Sequence, residues 1–300
     1  MDENKTVIDT MAFKQAEEEE AETQLPIMLN KRYTLGECIG VGGLSEVYEV
    51  SDRYSEYFRD RRWLAVKVPT SVMRQKRDIV PFVYAEFSHL SRLSHPNIVK
   101  VFDFGVDVKN GKIPYIVLER LNGRMLKEMA HGEINRVMRR NLSRALLSAV
   151  EYLHLHGIVH ADISPANIMY LGDGGVKLFD FGISLNRRKE QRFTLNYSKH
   201  KAFNPLYAAP EIHEGETPSR QTDIFSLAVV LYELYRGHLP YDSRSSELLR
   251  RPVRFRDLQG IPFGLQLWLK NALQHEAKKR PNKMPRWFTR QHNPVYGTLP

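Results

Sequence analysis

Two hydrophobic periods divide this 300-residue chain, and the switch between them constrains its fold more than any other feature. Up to Leu121 the apolar residues come in short strand-like runs. "YTLGECIG" and "SEVYEVSD" read as two strands joined by the glycine-rich "GVGG". "RWLAVKVP" is a third strand ending at Pro69, and "HPNIVKVFDFGVDV" and "IPYIVLERL" are two more with "KNG" as the turn. One stretch, "VPFVYAEFSHLSRL", has helical spacing instead, at Phe82, Phe87, Leu90 and Leu93. Beyond Leu121 the period is mostly helical. "INRVMRRNLSRALLSAVEYLHLHG" reads as a long amphipathic helix stopped at Gly157. "TDIFSLAVVLYELYRG" reads as a buried helix capped by Gly237, and "PFGLQLWLKNALQ" as a further helix. Between them "NIMYL" and "VKLFD" flank the hairpin signal "GDGG". Strands first and helices afterwards, with no internal repeat, predict an α+β chain in two parts.

Residues 1–30 do not share this patterning. They hold eight acids, including "EEEE" at 17–20, against two lysines, for a charge of −6. The remaining 270 residues carry +15, so the overall +9 is unevenly distributed. The segment 1–30 is expected to be an acidic disordered tail. A basic body is compatible with nucleotide or acidic protein ligands, and equally with a solvated basic surface. No aromatic-interleaved or zinc-finger spacing points to nucleic acid. The single cysteine, Cys38, excludes an internal disulfide framework. No apolar run reaches the ~20 residues of a membrane-spanning helix, and "MDENKTVIDT" lacks a secretory pattern. The expected location is therefore cytoplasmic, with no membrane span.

The chemistry-bearing residues lie at the joints of this layout. Gly40, Gly42 and Gly43 can bring backbone N–H groups close to phosphates, although an ordinary hairpin turn also explains them. Lys67 stands mid-strand in "LAVKV", where burial is costly unless it meets an anion, and the alternative is an edge position facing solvent. Glu86, 19 residues on in the predicted helix, could pair with it. In "IVHADISPANIMY", Asp162 could accept a proton from an attacking hydroxyl and Asn167 could hold a metal ion, while His160 reads as a core histidine fixing the loop. Asp180 of "DFG" would supply a carboxylate to magnesium bridging phosphates.

Taken in order, "GVGGLSEV", "LAVKV", Glu86, "HADISPAN", "DFG" and "AAPE" make the chain resemble the protein kinase family across roughly residues 33–285. The resemblance is to the Hanks-type kinases and, in its glycine loop, to bacterial members. It implies a bilobal fold, with a small β-rich N-lobe carrying one helix at 31–121, a larger helical C-lobe at 122–290 and a tail at 291–300. It implies ATP as phosphoryl donor, with Mg2+ or Mn2+ held by Asn167 and Asp180. Gly40, Val41, Gly42 and Gly43 would cover the phosphates, with Lys67 held by Glu86. Val47, Ala65 and Met169 would sandwich adenine, and the backbone of Glu119 and Leu121 would bind it, with Leu118 as gatekeeper. Asp162 would be the catalytic base. Leu90, Phe181 and His160 would stack in a spine, and Glu211 and Arg280 would form a buried ion pair. The implied partners are protein substrates with Ser/Thr hydroxyls.

Several positions depart from the family pattern. Ala161 replaces the arginine that grips an activation-segment phosphate, so activity is expected not to need phosphorylation of Thr194, Tyr197 or Ser198. Ser164 stands in place of a lysine, Asn204 in place of a bracing threonine and Ser45 in place of the third glycine. Pro281, Pro285 and Pro294 are expected to shorten the last helix. Two alternatives stay open: a pseudokinase that binds nucleotide and partners without efficient turnover, and a small-molecule phosphotransferase. The basic residues Arg187, Arg188, Lys189, Arg192, Lys199 and Lys201 suggest acidic flanks around the target hydroxyl. They also offer the acidic tail a surface on which to fold back.

Overall fold

The computed structural model describes residues 27–60, 62–186, 203–241 and 253–285. It divides into two compact units, one formed by Met1–Phe87 with Val101–Arg120 and the other by Ser88–Lys100 with Leu121–Pro300.

The first unit is built on a six-stranded antiparallel sheet. Its strands are β1 (Met28–Leu29), β2 (Tyr33–Val41), β3 (Ser45–Asp52), β4 (Leu64–Pro69), β5 (Val101–Asp107) and β6 (Ile113–Glu119), in the order β1-β2-β3-β4-β6-β5. Three helices accompany it: α1 (Arg53–Tyr57), α2 (Ser71–Arg74) and the longer α3 (Ile79–Leu90). Pro81 falls in the first turn of α3, where a missing N–H breaks no helical bond. The strand period of two sorts side chains between the faces. One face buries Val50, Leu64, Val66, Val68, Tyr115 and Val117 against Leu29 and Tyr33. The other buries Ile116 with Met73, Ile79 and Val83, and Phe82, Phe87 and Leu118 pack against them. Lys67 lies directly opposite Ile116 in the β4–β6 register, so it shares the face that receives α3.

Two boundaries and the helix content differ from those read in the sequence. The expected tail 1–30 is too long at its end: Met28 and Leu29 pair with Thr34 and Tyr33, Leu29 is fully buried, and Asn30 Nδ2 donates to Tyr115 Oη at 2.8 Å. The acidic composition upstream masked this short apolar strand. Residues 88–100 belong with the second unit, because Leu178 N–H donates to Asn97 O (2.9 Å) and Val99 N–H to Leu178 O (3.0 Å). The short helices α1 and α2 add to the single long helix expected. The assignments to 291–300 and most of 1–30 lie outside the described residues.

The second unit is mostly helical. Its elements are β7 (Gly123–Met125), α4 (Arg136–Leu155), β8 (Ile158–Val159), β9 (Ile168–Leu171), β10 (Val176–Leu178), β11 (Leu185–Asn186), α5 (Pro210–His213), α6 (Arg220–Arg236) and α7 (Phe263–Ala272). Asn135 caps α4 by accepting from the N–H groups of Val137 and Met138. The buried stripe Leu142, Leu146, Leu147, Val150 and Leu153 gives α4 its inward face. In α6 every residue from Thr222 to Tyr232 is buried, which makes it the unit's central post. Gly237 ends α6 at φ 77°, and a Cβ there would lie 3.0 Å from the His131 ring, so conformation and space both demand glycine. Past α7, the described residues up to Pro285 hold only a short 3-10 turn, Ala277–Lys279. No described helix is long and apolar enough to cross a membrane.

Candidate active site

In the first unit, Lys67 Nζ donates to Glu86 Oε1 at 2.7 Å, with Glu86 buried and Lys67 11% exposed. β4 supplies the lysine and α3 the carboxylate, and the pair forms because α3 packs on the face that carries Lys67. Gly40 pairs with Val47, Val47 with Lys67, and Ala65 with Leu118, so these side chains share that face. Glu119 ends β6 opposite Leu64, and Leu121 opens the second unit.

The glycine loop joins β2 to β3, with Gly42 N–H donating to Ser45 O at 2.8 Å. None of its glycines has the positive φ that would exclude a side chain. A Cβ would sit 3.9 Å from Val47 at Gly40 and 3.4 Å from Ser45 O at Gly42, and would meet nothing within 4 Å at Gly43. Neither backbone strain nor crowding within the chain explains these three glycines. A bare backbone open to a ligand does, which is the chemistry a phosphate cradle needs. Val41, at the tip, is exposed.

In the second unit, Asp162 is held from three directions. Asn167 Nδ2 donates to its carboxylate Oδ2 at 2.7 Å and to its carbonyl at 2.8 Å, and Asn204 N–H donates to Oδ1 at 3.2 Å. Asn204, which stands in place of a bracing threonine, thus reaches Asp162 through its backbone. Asp162 N–H donates to His160 Nδ1 at 3.3 Å, so the His160 proton sits on Nε2, which donates to Phe179 O at 3.2 Å. His160 is buried and packs on Phe181 with ring centroids 4.5 Å apart. It fixes the loop, and Leu90 and Phe181 are buried as well.

Beneath this loop lies a residue that sequence reasoning missed. Asp223, fully buried in the first turn of α6, accepts from His160 N–H and Ala161 N–H at 2.9 Å each, and from His154 Nε2 at 2.9 Å. The carboxylate thereby pins the peptide units just ahead of Asp162. Ala161 takes φ 70°, a left-handed conformation that costs an alanine roughly 1–2 kcal/mol. The two bonds to Asp223 hold it there. The sequence signal was the acid that opens "DIFSLAVVLYEL", a stretch resembling a helix motif of the family, and an acid there also reads as ordinary charge at a helix start.

Asp180 is exposed, adopts φ 63° and accepts from Gly182 N–H at 3.4 Å. Phe179 N–H donates to Asn167 O at 3.0 Å, so the residue before Asp180 is tied to Asn167. Burial pushes the Asp162 carboxyl upward from the ordinary aspartate value, and the negative charge of Asp180 pushes the same way. The Asn204 and Asn167 hydrogen bonds pull it back. A carboxylate and an amide oxygen are hard donors suited to Mg2+ or Mn2+, and Mg2+ usually takes one or two carboxylates, with water and phosphate completing its shell. The Asn167 amide nitrogen is committed to Asp162, which leaves its oxygen as the donor toward an ion.

Met169 pairs with Met125 and Lys177 in the small sheet β10-β9-β7. Ser164 is only 1% exposed, and its hydroxyl has no hydrogen-bond partner among the described residues. A cavity of about 220 Å3 borders this loop at Pro165 and carries Glu233, whose carboxylate accepts from Tyr207 Oη at 2.7 Å. Thr194, Tyr197, Ser198 and the basic residues Arg187, Arg188, Lys189, Arg192, Lys199 and Lys201 lie outside the described residues.

The protein kinase domain family model matches residues 33–284. The chain is 34% identical over 219 residues to the serine/threonine-protein kinase PknB of Mycolicibacterium smegmatis, covering 72% of this chain and 34% of that protein. It is 35% identical over 219 residues to a probable serine/threonine-protein kinase of Streptomyces coelicolor, covering 72% and 32%. With the probable serine/threonine-protein kinase PknB of Bifidobacterium longum it shares 30% identity over 274 residues, covering 87% and 39%. The match thus spans about a third of the length of these bacterial relatives.

Proposed function

The chain belongs to the protein kinase family, and from that premise we propose that it transfers the γ-phosphoryl group of ATP to serine and threonine hydroxyls of proteins, its own among them. The observation that carries this reading is the way Asp162 is held. Asn167 and Asn204 each donate to one carboxylate oxygen and fill one acceptor position on it, and further lone pairs remain to orient a hydroxyl. Lys67, steadied by Glu86, is assigned to the α- and β-phosphates, with the backbone of the loop at Gly40, Val41, Gly42 and Gly43 above them, where the Gly42 N–H is already given to Ser45 O. Val47, Ala65 and Met169 are assigned to the adenine faces, and the backbone at Glu119 and Leu121 to its edge. Asn167 and Asp180 would hold Mg2+ or Mn2+, which neutralises phosphate charge when bound. The protein's own contribution is positioning and fixed charge.

Incubation with ATP and Mg2+, followed by mass spectrometry of the wild type and Asp162→Ala, tests this. Phosphoserine and phosphothreonine should accumulate on the wild type and on an added protein acceptor, and not with the variant. Nucleotide binding without any phosphosite would establish the pseudokinase reading instead. The observation favouring that second reading is Ser164, which puts an uncharged, buried side chain where the family carries lysine.

Acidic flanks around the acceptor are proposed from the charge of residues 187–201 alone. Glu233, in the cavity beside Pro165, argues for a cationic neighbour. A peptide array with Asp or Arg scanned around a central serine decides between them.

A further inference from the structure

The connection between β3 and β4 carries a surface that the phosphoryl-transfer reading leaves unexplained. Within ten residues, α1 and the loop after it expose four large aromatic side chains: Tyr54 (61%), Tyr57 (80%), Phe58 (73%) and Trp63 (73%). The rings of Tyr57 and Phe58 meet edge to face at 5.0 Å. Arginines are interleaved with them. The Arg32 guanidinium stands 5.0 Å from the Tyr54 ring centre, and that of Arg120 stands 5.1 Å from Trp63. Residues 53–62 hold four arginines against Glu56 and Asp60, and Asp60 is bonded to Arg62 at 2.8 Å. Arg32 is bonded to Asp52 and Asp103, and Arg120 to Glu49, so the uncompensated charge is the net +2 of residues 53–62. Exposed aromatic and arginine side chains in one patch mark an interaction surface, and this excess of positive charge selects an acidic occupant.

The chain carries such an occupant close at hand. Glu17, Glu18, Glu19, Glu20 and Glu22 stand just upstream of β1. Arg53 Nη1 donates to Lys31 O at 3.3 Å, so α1 starts against the turn that follows β1. Ile27 lies five positions after Glu22, an extended reach of about 17 Å. That exceeds the length of the two-residue strand lying between Ile27 and the Lys31 turn. A tether this short gives an effective concentration of about a millimolar, enough for a weak contact to persist.

We propose that the aromatic and arginine face of α1 and its following loop binds the chain's own acidic residues 17–22. An acidic segment of a partner would then reach this face only by displacing them.

Hydrogen exchange on the full chain tests the proposal, comparing the wild type, the five-fold glutamine variant E17Q/E18Q/E19Q/E20Q/E22Q, and R53E/R59E. Peptides covering residues 53–63 should exchange at least about fivefold faster in both variants than in the wild type, and 0.5 M NaCl should speed the wild type likewise. Exchange in β4 and α3 should stay unchanged, which shows that the variants fold. Three results overturn the proposal: equal exchange at 53–63 in all three proteins, loss of protection in the glutamine variant at residues 187–202 instead, or wild-type protection that rises with protein concentration. The last would make a second copy the occupant.

Discussion

Arg280 and Glu211, 69 residues apart, are joined by two parallel bonds of 2.7 and 2.8 Å between buried side chains. The remaining guanidinium donors reach the carbonyls of Gln274 (2.8 Å), Gln221 (3.1 Å) and His275 (2.7 Å). The cation is thus satisfied on all five N–H groups. Arg280→Leu strands the Glu211 carboxylate in the interior and should cost about 3–5 kcal/mol. Urea unfolding measures it, and a loss below about 1 kcal/mol would mean that the pair contributes little. Arg280→Lys should recover only part, since a point charge cannot span both carboxylate oxygens.

The Lys67–Glu86 pair calls for a cycle rather than a single variant. Lys67→Met leaves Glu86 buried beside a thioether and should destabilise by roughly 3 kcal/mol. Lys67→Met with Glu86→Leu should regain most of that stability while nucleotide-dependent turnover stays lost. Calorimetric melting alongside a phosphoryl-transfer assay separates the two effects. A double variant no more stable than the single one contradicts the account.

Asp162→Asn should lower turnover at least about 100-fold and leave the fold intact, because the amide oxygen can still accept from Asn204 or Asn167. A nucleotide dissociation constant within about twofold of the wild type would show that the loss is chemical. A large loss of binding would shift the role of Asp162 from base to scaffold.

Ser164 gives a prediction of opposite sign. Its buried hydroxyl, without a partner among the described residues, costs about 1–3 kcal/mol of desolvation. Ser164→Ala should therefore raise stability by about 1 kcal/mol. A drop in stability would reveal a bond made through water.

His95 sets an acid limit. Its Nδ1 accepts from Asn97 N–H at 3.1 Å, and Nε2 is bonded to the Ser148 hydroxyl at 3.0 Å. Burial lowers the ring to about 4, and the positive charge of Lys177 adds to that. A histidine neutral in the fold but ordinary when unfolded lends stability that is fully present above pH 6.5 and is lost as the pH falls from there to about 4. After discounting for its partial exposure, about 1 kcal/mol should disappear across that window. His95→Gln should flatten this part of the profile in denaturation at pH 7.5 and 5.

The strands and long helices were legible because their apolar residues repeat with period two or 3.6, and the Lys67–Glu86 pair was legible because a lysine set mid-strand among apolar neighbours is costly unless an anion meets it. Leu29 was not, because two apolar residues behind a run of acids form no period. Asp223 was not for a deeper reason. Its partners are backbone N–H groups 62 and 63 residues upstream, and a peptide group leaves no mark in a list of side chains. The aromatic α1 was missed because five residues are too few to separate helix from turn.

Asp223 binds a bend in the chain and a buried histidine to the foot of the same central post. Loosening that post at its base would let the peptide at Ala161 relax out of its unfavourable twist and carry the neighbouring carboxylate with it. Competence in the helical unit is therefore all or nothing: a partly melted molecule should be silent rather than slow, and residual turnover during denaturation should count intact copies.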